Sequence, residues 1–84
     1  MPWEAFSMRV HVRLFGDFRH FLRETDGHAT LDVAEGTTVR DVLDRVQVPV
    51  THVGLVSVNR EMVPVETVLG DGDAVYVFSP LGGG

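Results

Sequence analysis

The sequence predicts an α+β fold, in which a four- to five-stranded mixed sheet forms a two-layer roll with one main helix and a second, short helix. Three observations lead to this prediction. The chain has 84 residues, which suits a single domain. One central stretch has the apolar spacing of a helix, and the segments on either side have the apolar patterns of strands. Turn-forming residues separate these segments.

The first strand is predicted from Arg9 to Phe15, where apolar and polar side chains alternate. Its apolar face consists of Val10, Val12 and Leu14. Gly16 ends the strand, and Asp17 is placed to cap a short helix that ends at Asp26-Gly27. The apolar side of that helix consists of Phe18, Phe21 and Leu22.

A second short strand is predicted from Thr30 to Val33, and the main helix follows it. Thr38 and Asp41 form a variant of the capping box at the start of this helix. Its apolar stripe has the spacing i, i+3, i+4, i+7 and consists of Val39, Val42, Leu43 and Val46. Pro49 cannot continue a helix and closes the segment.

The remaining strands are predicted at Val53 to Val58, at a short return through Met62-Val63, and at Ala74 to Phe78. The turns between them are formed by Asn59-Arg60 and by the Gly70–Asp73 run. One main helix covers only one face of such a sheet. Exposed apolar or aromatic residues on the opposite face would therefore mark a docking surface.

Composition narrows the possible functions. Twelve acidic and seven basic residues give a formal charge of −5, which argues against nucleic acid as a partner. Without cysteine, disulfides, thiolate nucleophiles and cysteine-based metal sites are excluded. No apolar run approaches the roughly 20 residues of a membrane span, and the first residues do not resemble a secretion signal. We expect no membrane partner and a cytoplasmic location.

No motif in the chain predicts a catalytic or metal site. The four histidines, at positions 11, 20, 28 and 52, lack the spacing of metal ligands, and we expect no metal. There is neither a phosphate-binding loop nor a nucleophile elbow. Asp71 and Asp73 bracket Gly72 and are interpreted as turn formers. Any chemistry would therefore be performed on this chain by another protein.

The last five residues differ from the rest of the chain, because a stiff proline and one apolar residue, Pro80 and Leu81, precede Gly82, Gly83 and Gly84. Glycine has no Cβ, so such a flexible tail could enter a channel too narrow for side chains and present the Gly84 carboxylate. Ordering it would cost roughly 1–2 kcal/mol per residue, which a docking surface elsewhere would have to offset. An idle terminus is the alternative interpretation.

The run from Gly72 to Gly84 combines a Gly-Asp turn, an apolar strand, a proline-containing exit and terminal glycines, and it resembles the closing signature of the ubiquitin-like sulphur carriers. Leu14-Phe15-Gly16 and the aromatic helix after it resemble the opening of the small subunit of molybdopterin synthase. Thr37–Leu43 is similar to the main helix of this family, and Val58–Pro64 to a hairpin shared with the thiamine-biosynthesis sulphur carrier. The resemblance covers Met8 to Gly84 and implies a ubiquitin-like β-grasp fold.

The resemblance also implies a function. An ATP-dependent adenylyltransferase of the ubiquitin-activating type would adenylate the carboxylate of Gly84, and a sulphur donor would convert it to a thiocarboxylate. The large subunit of molybdopterin synthase, or another sulphur acceptor, would then use that sulphur. Gly83 and Gly84 would form the functional tip, Pro80 and Leu81 would guide the tail, and Tyr76 and Phe78 are candidate partner contacts. The chain itself would bind no cofactor and would have no catalytic site of its own.

Two positions depart from the family pattern. Ser79 stands where molybdopterin carriers often have a first proline, and Gly82 replaces a small Ala or Ser. The first interpretation is a carrier for molybdopterin in molybdenum or tungsten cofactor synthesis. The alternatives are a carrier for thiamine or cysteine synthesis and a protein modifier conjugated through Gly84. The expected organisation is an extension at 1–7, a β-grasp domain at 8–79 and a flexible tail at 80–84.

Overall fold

A computed structural model describes residues 7–79. It contains five strands, namely β1 (Ser7–Leu14), β2 (His28–Ala34), β3 (Leu55–Val58), β4 (Glu61–Met62) and β5 (Ala74–Phe78). One α-helix, α1 (Val39–Arg45), lies between β2 and β3, and two 3-10 helices span Gly16–Thr25 and Val50–His52. Within the described residues no helix is long and apolar enough to cross a bilayer.

The strands form one mixed sheet in the order β2-β1-β5-β3-β4. β1 is antiparallel to β2 and parallel to β5, whereas β3 is antiparallel to both β5 and β4. The last strand of the chain therefore lies at the centre of the sheet, where Val75 pairs with Val12 and Val77 pairs with Val56. The C-terminal end of β5 consequently lies in the middle of one end of the sheet.

The core lies between α1 and one face of the sheet. Its fully buried side chains come from the apolar alternation of β1 and β5, from the helix stripe and from the loop after the helix, and they are Val10, Val12, Leu14, Val39, Val42, Leu43, Val48, Val75 and Val77. Burying an aliphatic side chain of this size contributes roughly 1.5–3 kcal/mol. The two apolar periodicities read from the sequence thus meet in a single core, and the predicted two-layer α+β roll is confirmed.

The predicted capping box of α1 is present. The Thr38 hydroxyl accepts a hydrogen bond from the Asp41 backbone N–H at 3.3 Å, and the Asp41 carboxylate accepts one from the Thr38 N–H at 3.0 Å. On the solvent side, Arg40 donates to Glu66 at 3.0 Å. This hydrogen bond holds the pKa of Glu66 below its usual value. Any stabilisation from this pair is therefore lost as the pH falls through the lowered pKa.

Several segments differ in detail from the sequence prediction. β1 runs from Ser7 to Leu14 instead of Arg9 to Phe15, and β4 spans Glu61–Met62 instead of Met62-Val63. The short helix after β1 is a 3-10 helix, interrupted at Leu22 by non-helical backbone angles (φ −127°, ψ 56°). β2 extends to His28–Ala34, because its pairing with β1 continues beyond the predicted ends. β3 begins only at Leu55, since the residues after Pro49 form the second 3-10 helix.

Candidate functional site

The sheet face opposite α1, here called the open face, is without a covering helix in the part of the chain that the structure describes. Paired residues on neighbouring strands point to the same face, so the register defines its rows. One row crosses all five strands and consists of His28, Arg13, Tyr76, Ser57 and Met62. The next row pairs Phe78 with Leu55, and Phe15 lies beside it because its N–H donates to the Val77 carbonyl at 2.9 Å.

Phe15, Tyr76 and Phe78 form an aromatic cluster on the open face. The Phe15 and Phe78 rings are stacked, with centroids 4.7 Å apart and an interplanar angle of 9°. The Tyr76 ring meets Phe15 edge to face at 5.6 Å and 67°. Aromatic pairs of this geometry contribute about 0.5–1.5 kcal/mol beyond their burial. All three side chains are only half-buried, so the cluster is already arranged and still has apolar surface to bury.

A cationic side chain lies on one side of the aromatic cluster, and exposed apolar side chains lie on the other side. On one side, the Arg13 guanidinium carbon lies 4.9 Å from the centroid of the Phe15 ring, a cation–π distance. On the other side, Leu55 is 50% exposed and Met62 is 70% exposed. Both residues also line a groove of about 410 Å³ near the sheet edge formed by β3 and β4. Its other lining residues are Val50, Val53, Gly54, Val56, Val63, Pro64 and Val65.

At the C-terminal end of β5, Ser79 lies very close to Gly16. Gly16 has φ +65°, and a Cβ at this position would overlap the Ser79 hydroxyl oxygen. Backbone conformation and the lack of space beside Ser79 therefore both favour glycine at position 16. Because Ser79 directly follows Phe78, this contact lies next to the aromatic cluster.

The structure places the two predicted partner contacts, Tyr76 and Phe78, in the aromatic cluster. The predicted tail residues, Pro80, Leu81, Gly82, Gly83 and Gly84, lie outside the described residues. The sequence prediction missed Phe15 and Arg13 as site residues. A signal for Phe15 was present, because one more step of the two-residue period places it on the face of Arg13, opposite Leu14.

The described residues contain no group of three or more His, Asp or Glu side chains that could hold a metal ion. The carboxylates of the Gly70–Asp73 turn are used in hydrogen bonds to neighbouring segments. Asp73 accepts from the Gly70 N–H at 2.7 Å and from the Asn59 amide at 2.8 Å. Asp71 accepts from the Arg9 N–H at 2.8 Å. These contacts confirm the interpretation of both residues as turn formers.

A family model described as Mut7-C ubiquitin matches residues 7–81, which is most of the chain. The chain belongs to the Mut7-C ubiquitin family. A search among curated proteins found no match. Membership of this family accounts for the β-grasp topology, in which one helix packs against a five-stranded mixed sheet.

Solved structures share the fold of this Mut7-C ubiquitin domain. The Haloferax volcanii protein HVO 2177 is 29% identical, with a TM-score of 0.73 over 93% of this chain and 88% of that chain. A putative molybdopterin converting factor subunit 1 from Pyrococcus furiosus is 26% identical, with a TM-score of 0.70 over 89% of this chain and 100% of that chain. The predicted relationship with the ubiquitin-like sulphur carriers and the β-grasp fold are confirmed.

A third structural neighbour belongs to a complex of subunits 1 and 2 of the molybdopterin-converting factor from Helicobacter pylori. It is 19% identical, with a TM-score of 0.56 over 92% of this chain and 100% of that chain. At this identity the likeness concerns the fold.

Proposed function

We propose that this domain is a sulphur carrier for molybdopterin biosynthesis, with the carboxylate of Gly84 as the group that carries the sulphur. The observation behind the proposal is the position of the aromatic cluster. Its rings are already packed together, and two of them belong to β5, the strand that precedes the terminal glycines in the sequence. The likeness to a putative molybdopterin converting factor subunit 1, across that whole chain, supports the choice of pathway.

The reaction needs two steps at Gly84, both catalysed by partners. In the first, a carboxylate oxygen attacks the α-phosphorus of ATP in an adenylyltransferase of the ubiquitin-activating type, and pyrophosphate leaves. In the second, the terminal sulphur of a persulfide on the donor attacks the acyl carbon, AMP leaves, and an acyl disulfide with the donor is formed. A thiol then attacks the donor's sulphur in that disulfide, so that a new disulfide forms on the donor and the thiocarboxylate is released. This domain supplies the acyl group and the docking surface, and it contributes no catalytic side chain.

Energetics explain why a carrier needs the aromatic cluster. Ordering the five tail residues in a partner's channel would cost roughly 5–10 kcal/mol, at 1–2 kcal/mol per residue. At about 25 cal/mol per Å² of apolar surface, offsetting this cost requires burial of roughly 200–400 Å². The aromatic cluster, with exposed Leu55 and Met62 beside it, is the apolar surface nearest to the exit.

Geometry also limits where the partner's active site can lie. Gly84 lies six positions after Phe78, and an extended chain spans at most about 3.3–3.6 Å per residue. The reacting carbon therefore lies within roughly 20 Å of Phe78. We propose that the large subunit of molybdopterin synthase docks on the open face within this distance.

The deciding experiment is intact mass spectrometry of the protein isolated from its own cells during active molybdenum cofactor synthesis. We expect a population in which one oxygen of the Gly84 carboxylate is replaced by sulphur. The control is the variant lacking Gly84, which should fold normally and never acquire sulphur. If peptide digests show Gly84 linked to amines of other proteins and no thiocarboxylate is found, the protein is a modifier and the proposal is wrong.

A second assay separates the sulphur-transfer pathways. Thiocarboxylated protein is mixed with a molybdopterin synthase large subunit and the pterin precursor, and dithiolene formation is measured. We expect product in proportion to the thiocarboxylate supplied. Absence of product, together with sulphur transfer to a thiamine or cysteine precursor, would assign the carrier to another pathway.

A further inference from the structure

The open face carries a second feature beside the aromatic cluster, a concavity of about 300 Å³ here called the basic pocket. Its side chains come from β1, β2 and β5, and they include His11, Arg13, His28, Thr30, Ala74 and Tyr76. The small side chain of Ala74, paired with His11, leaves room for the depression. Arg13 and Tyr76 belong to the row beside Phe15 and Phe78, so the pocket is continuous with the aromatic cluster.

The polar side chains that line the basic pocket can all donate hydrogen bonds. Arg13 contributes a guanidinium, Thr30 and Tyr76 contribute hydroxyls, and each imidazole contributes at least one N–H. None of the lining residues is acidic, although the whole chain has 12 acidic residues and a formal charge of −5. The pocket is thus a locally cationic spot, rich in donors, on an acidic protein.

Arg13 is the charged group available to a ligand. The ion pairs among the described residues join Arg9 to Asp32, Arg19 to Asp26, and Arg40 to Glu66, and Arg13 takes part in none of them. Its guanidinium is instead held over the Phe15 ring. Nearby acidic groups are already engaged, since Asp32 bonds to Arg9 and Asp73 bonds to Asn59. Inside the pocket, the Thr30 hydroxyl lies 3.4 Å from His11 Nδ1, so these two side chains can hydrogen-bond to each other. An oxyanion that entered the pocket would meet the Arg13 guanidinium without an acidic competitor among the lining residues.

The setting favours an anionic side chain of a protein over a free anion. A free anion would approach a domain of formal charge −5 and would find an open pocket with exposed side chains. A carboxylate carried by a protein would arrive together with apolar surface that covers the aromatic cluster and excludes water from the contact. Removing water strengthens the attraction between guanidinium and carboxylate, and Arg is suited to paired contacts with a carboxylate.

We propose that the basic pocket receives an Asp or Glu side chain of the protein that docks on the aromatic cluster, with Arg13 as its main ligand. The inference rests on the proposed function for the existence of that protein, and it adds the chemistry of the partner's surface. The docking partner should present an apolar patch with an acidic residue at its border, facing Arg13, His11 and His28.

Charge reversal tests this proposal with a matched control. Arg13→Glu and Arg40→Glu change the net charge equally, but Arg40 lies on α1, on the covered side of the sheet. Both variants are checked for native thermal unfolding. The dissociation constants of their complexes with the adenylyltransferase and with the large subunit from the same organism are then measured across a series of salt concentrations.

We expect Arg13→Glu to raise the dissociation constant of at least one complex tenfold or more at low salt. As the salt concentration increases, the ratio between the dissociation constants of this variant and of the wild type should fall. Arg40→Glu should stay within about twofold of wild type, and Arg13→Lys should retain most of the binding. Equal effects of Arg13→Glu and Arg40→Glu, or an Arg13→Glu effect that does not depend on salt, would overturn the acidic contact.

The two proposals fail in different ways. If the wild-type protein acquires its thiocarboxylate and binds its partners, and Arg13→Glu binds as well as Arg40→Glu, the acidic contact is wrong and the carrier function stands. If the wild-type protein never acquires sulphur in its own cells, the carrier function is wrong, and the inference built on it is overturned as well.

Discussion

At the residue scale, Gly16 shows how one position can serve both folding and function. It begins the 3-10 helix after β1 with a positive φ of 65°, and it lies against Ser79, the residue that follows Phe78. Residues that have a Cβ atom adopt this conformation at a cost of roughly 1–2 kcal/mol. A Cβ at position 16 would also overlap the Ser79 hydroxyl oxygen, so the Ser79 side chain would have to turn away.

Gly16→Ala should lower the unfolding free energy by about 1–2 kcal/mol for the conformation, with a further loss from the overlap with Ser79. Urea unfolding measures the total. Gly36→Ala is the matched control, because Gly36 also has positive φ but open space around it. Adding Ser79→Ala should recover about 0.5–1 kcal/mol in the Gly16→Ala background and not in the Gly36→Ala background. Equal recovery in both would contradict the contact.

A second residue-scale prediction concerns Phe78. Phe78→Ala should cost only about 1 kcal/mol of unfolding free energy, because the ring is half-buried and loses mainly its stacking on Phe15. Binding to the large subunit should weaken by about 2 kcal/mol or more, roughly 30-fold, as for a central aromatic residue of an interface. Isothermal titration calorimetry measures this, with Val68→Ala as the control at an exposed residue outside the open face. A similar loss in both variants would argue against docking on the aromatic cluster.

At the scale of elements, α1 is a seven-residue helix, too short to be stable alone. Two features stabilise it within the fold, namely the buried stripe of Val39, Val42 and Leu43 and the capping box at its first turn. The helix covers one face of the sheet and leaves the other to the aromatic cluster and the basic pocket. The helix thus contributes to the candidate site indirectly, because it packs on the opposite face of the sheet and fixes the positions of β1 and β5.

Thr38→Ala should destabilise the domain by about 1 kcal/mol, because the Asp41 N–H at the helix start loses its acceptor. Thr38→Ser keeps the hydroxyl and should stay close to wild type. Chemical denaturation of the three proteins provides the comparison, and partner binding should be unchanged in all of them. A Thr38→Ser variant as unstable as Thr38→Ala would show that packing of the methyl group, rather than capping, matters at this position.

At the scale of the whole molecule, the fold depends on its final strand. β5 lies between β1 and β3, and it places Val75 and Val77 in the centre of the core. The site depends on the same strand, because Tyr76 and Phe78 alternate with these valines. The five residues of β5 therefore supply both buried valines of the core and two rings of the aromatic cluster.

Two truncations test this dependence on β5. A chain that ends at Ala74 should lose cooperative unfolding altogether, since it removes both central valines and the pairing partners of β1 and β3. A chain that ends at Ser79 should retain the wild-type unfolding free energy within about 0.5 kcal/mol, and should lose carrier activity completely. Circular dichroism with urea titration distinguishes the two. Cooperative unfolding of the shorter chain would show that β5 is dispensable for the core.

Much of this architecture follows from local patterns. The alternation of Val10, Val12 and Leu14, the helical stripe that begins at Val39, and the capping box of Thr38 predicted the strand faces, the main helix and the covered side of the sheet. These features depend on backbone periods of two and 3.6 residues, which neighbouring residues establish by themselves. The 3-10 form of the Gly16–Thr25 segment was not predicted, since its apolar spacing also fits an α-helix.

The sequence by itself determined the two-layer α+β roll and the buried faces of β1 and α1, and the family resemblance proposed Tyr76 and Phe78 as candidate contacts. Only the tertiary structure decided that Arg13 and Phe15, about sixty positions earlier in the chain, lie beside them and form the aromatic cluster and the basic pocket. The physical reason is that the parallel register of β1 and β5 is set by how both strands pack their valines under α1, and no local period in either strand specifies it.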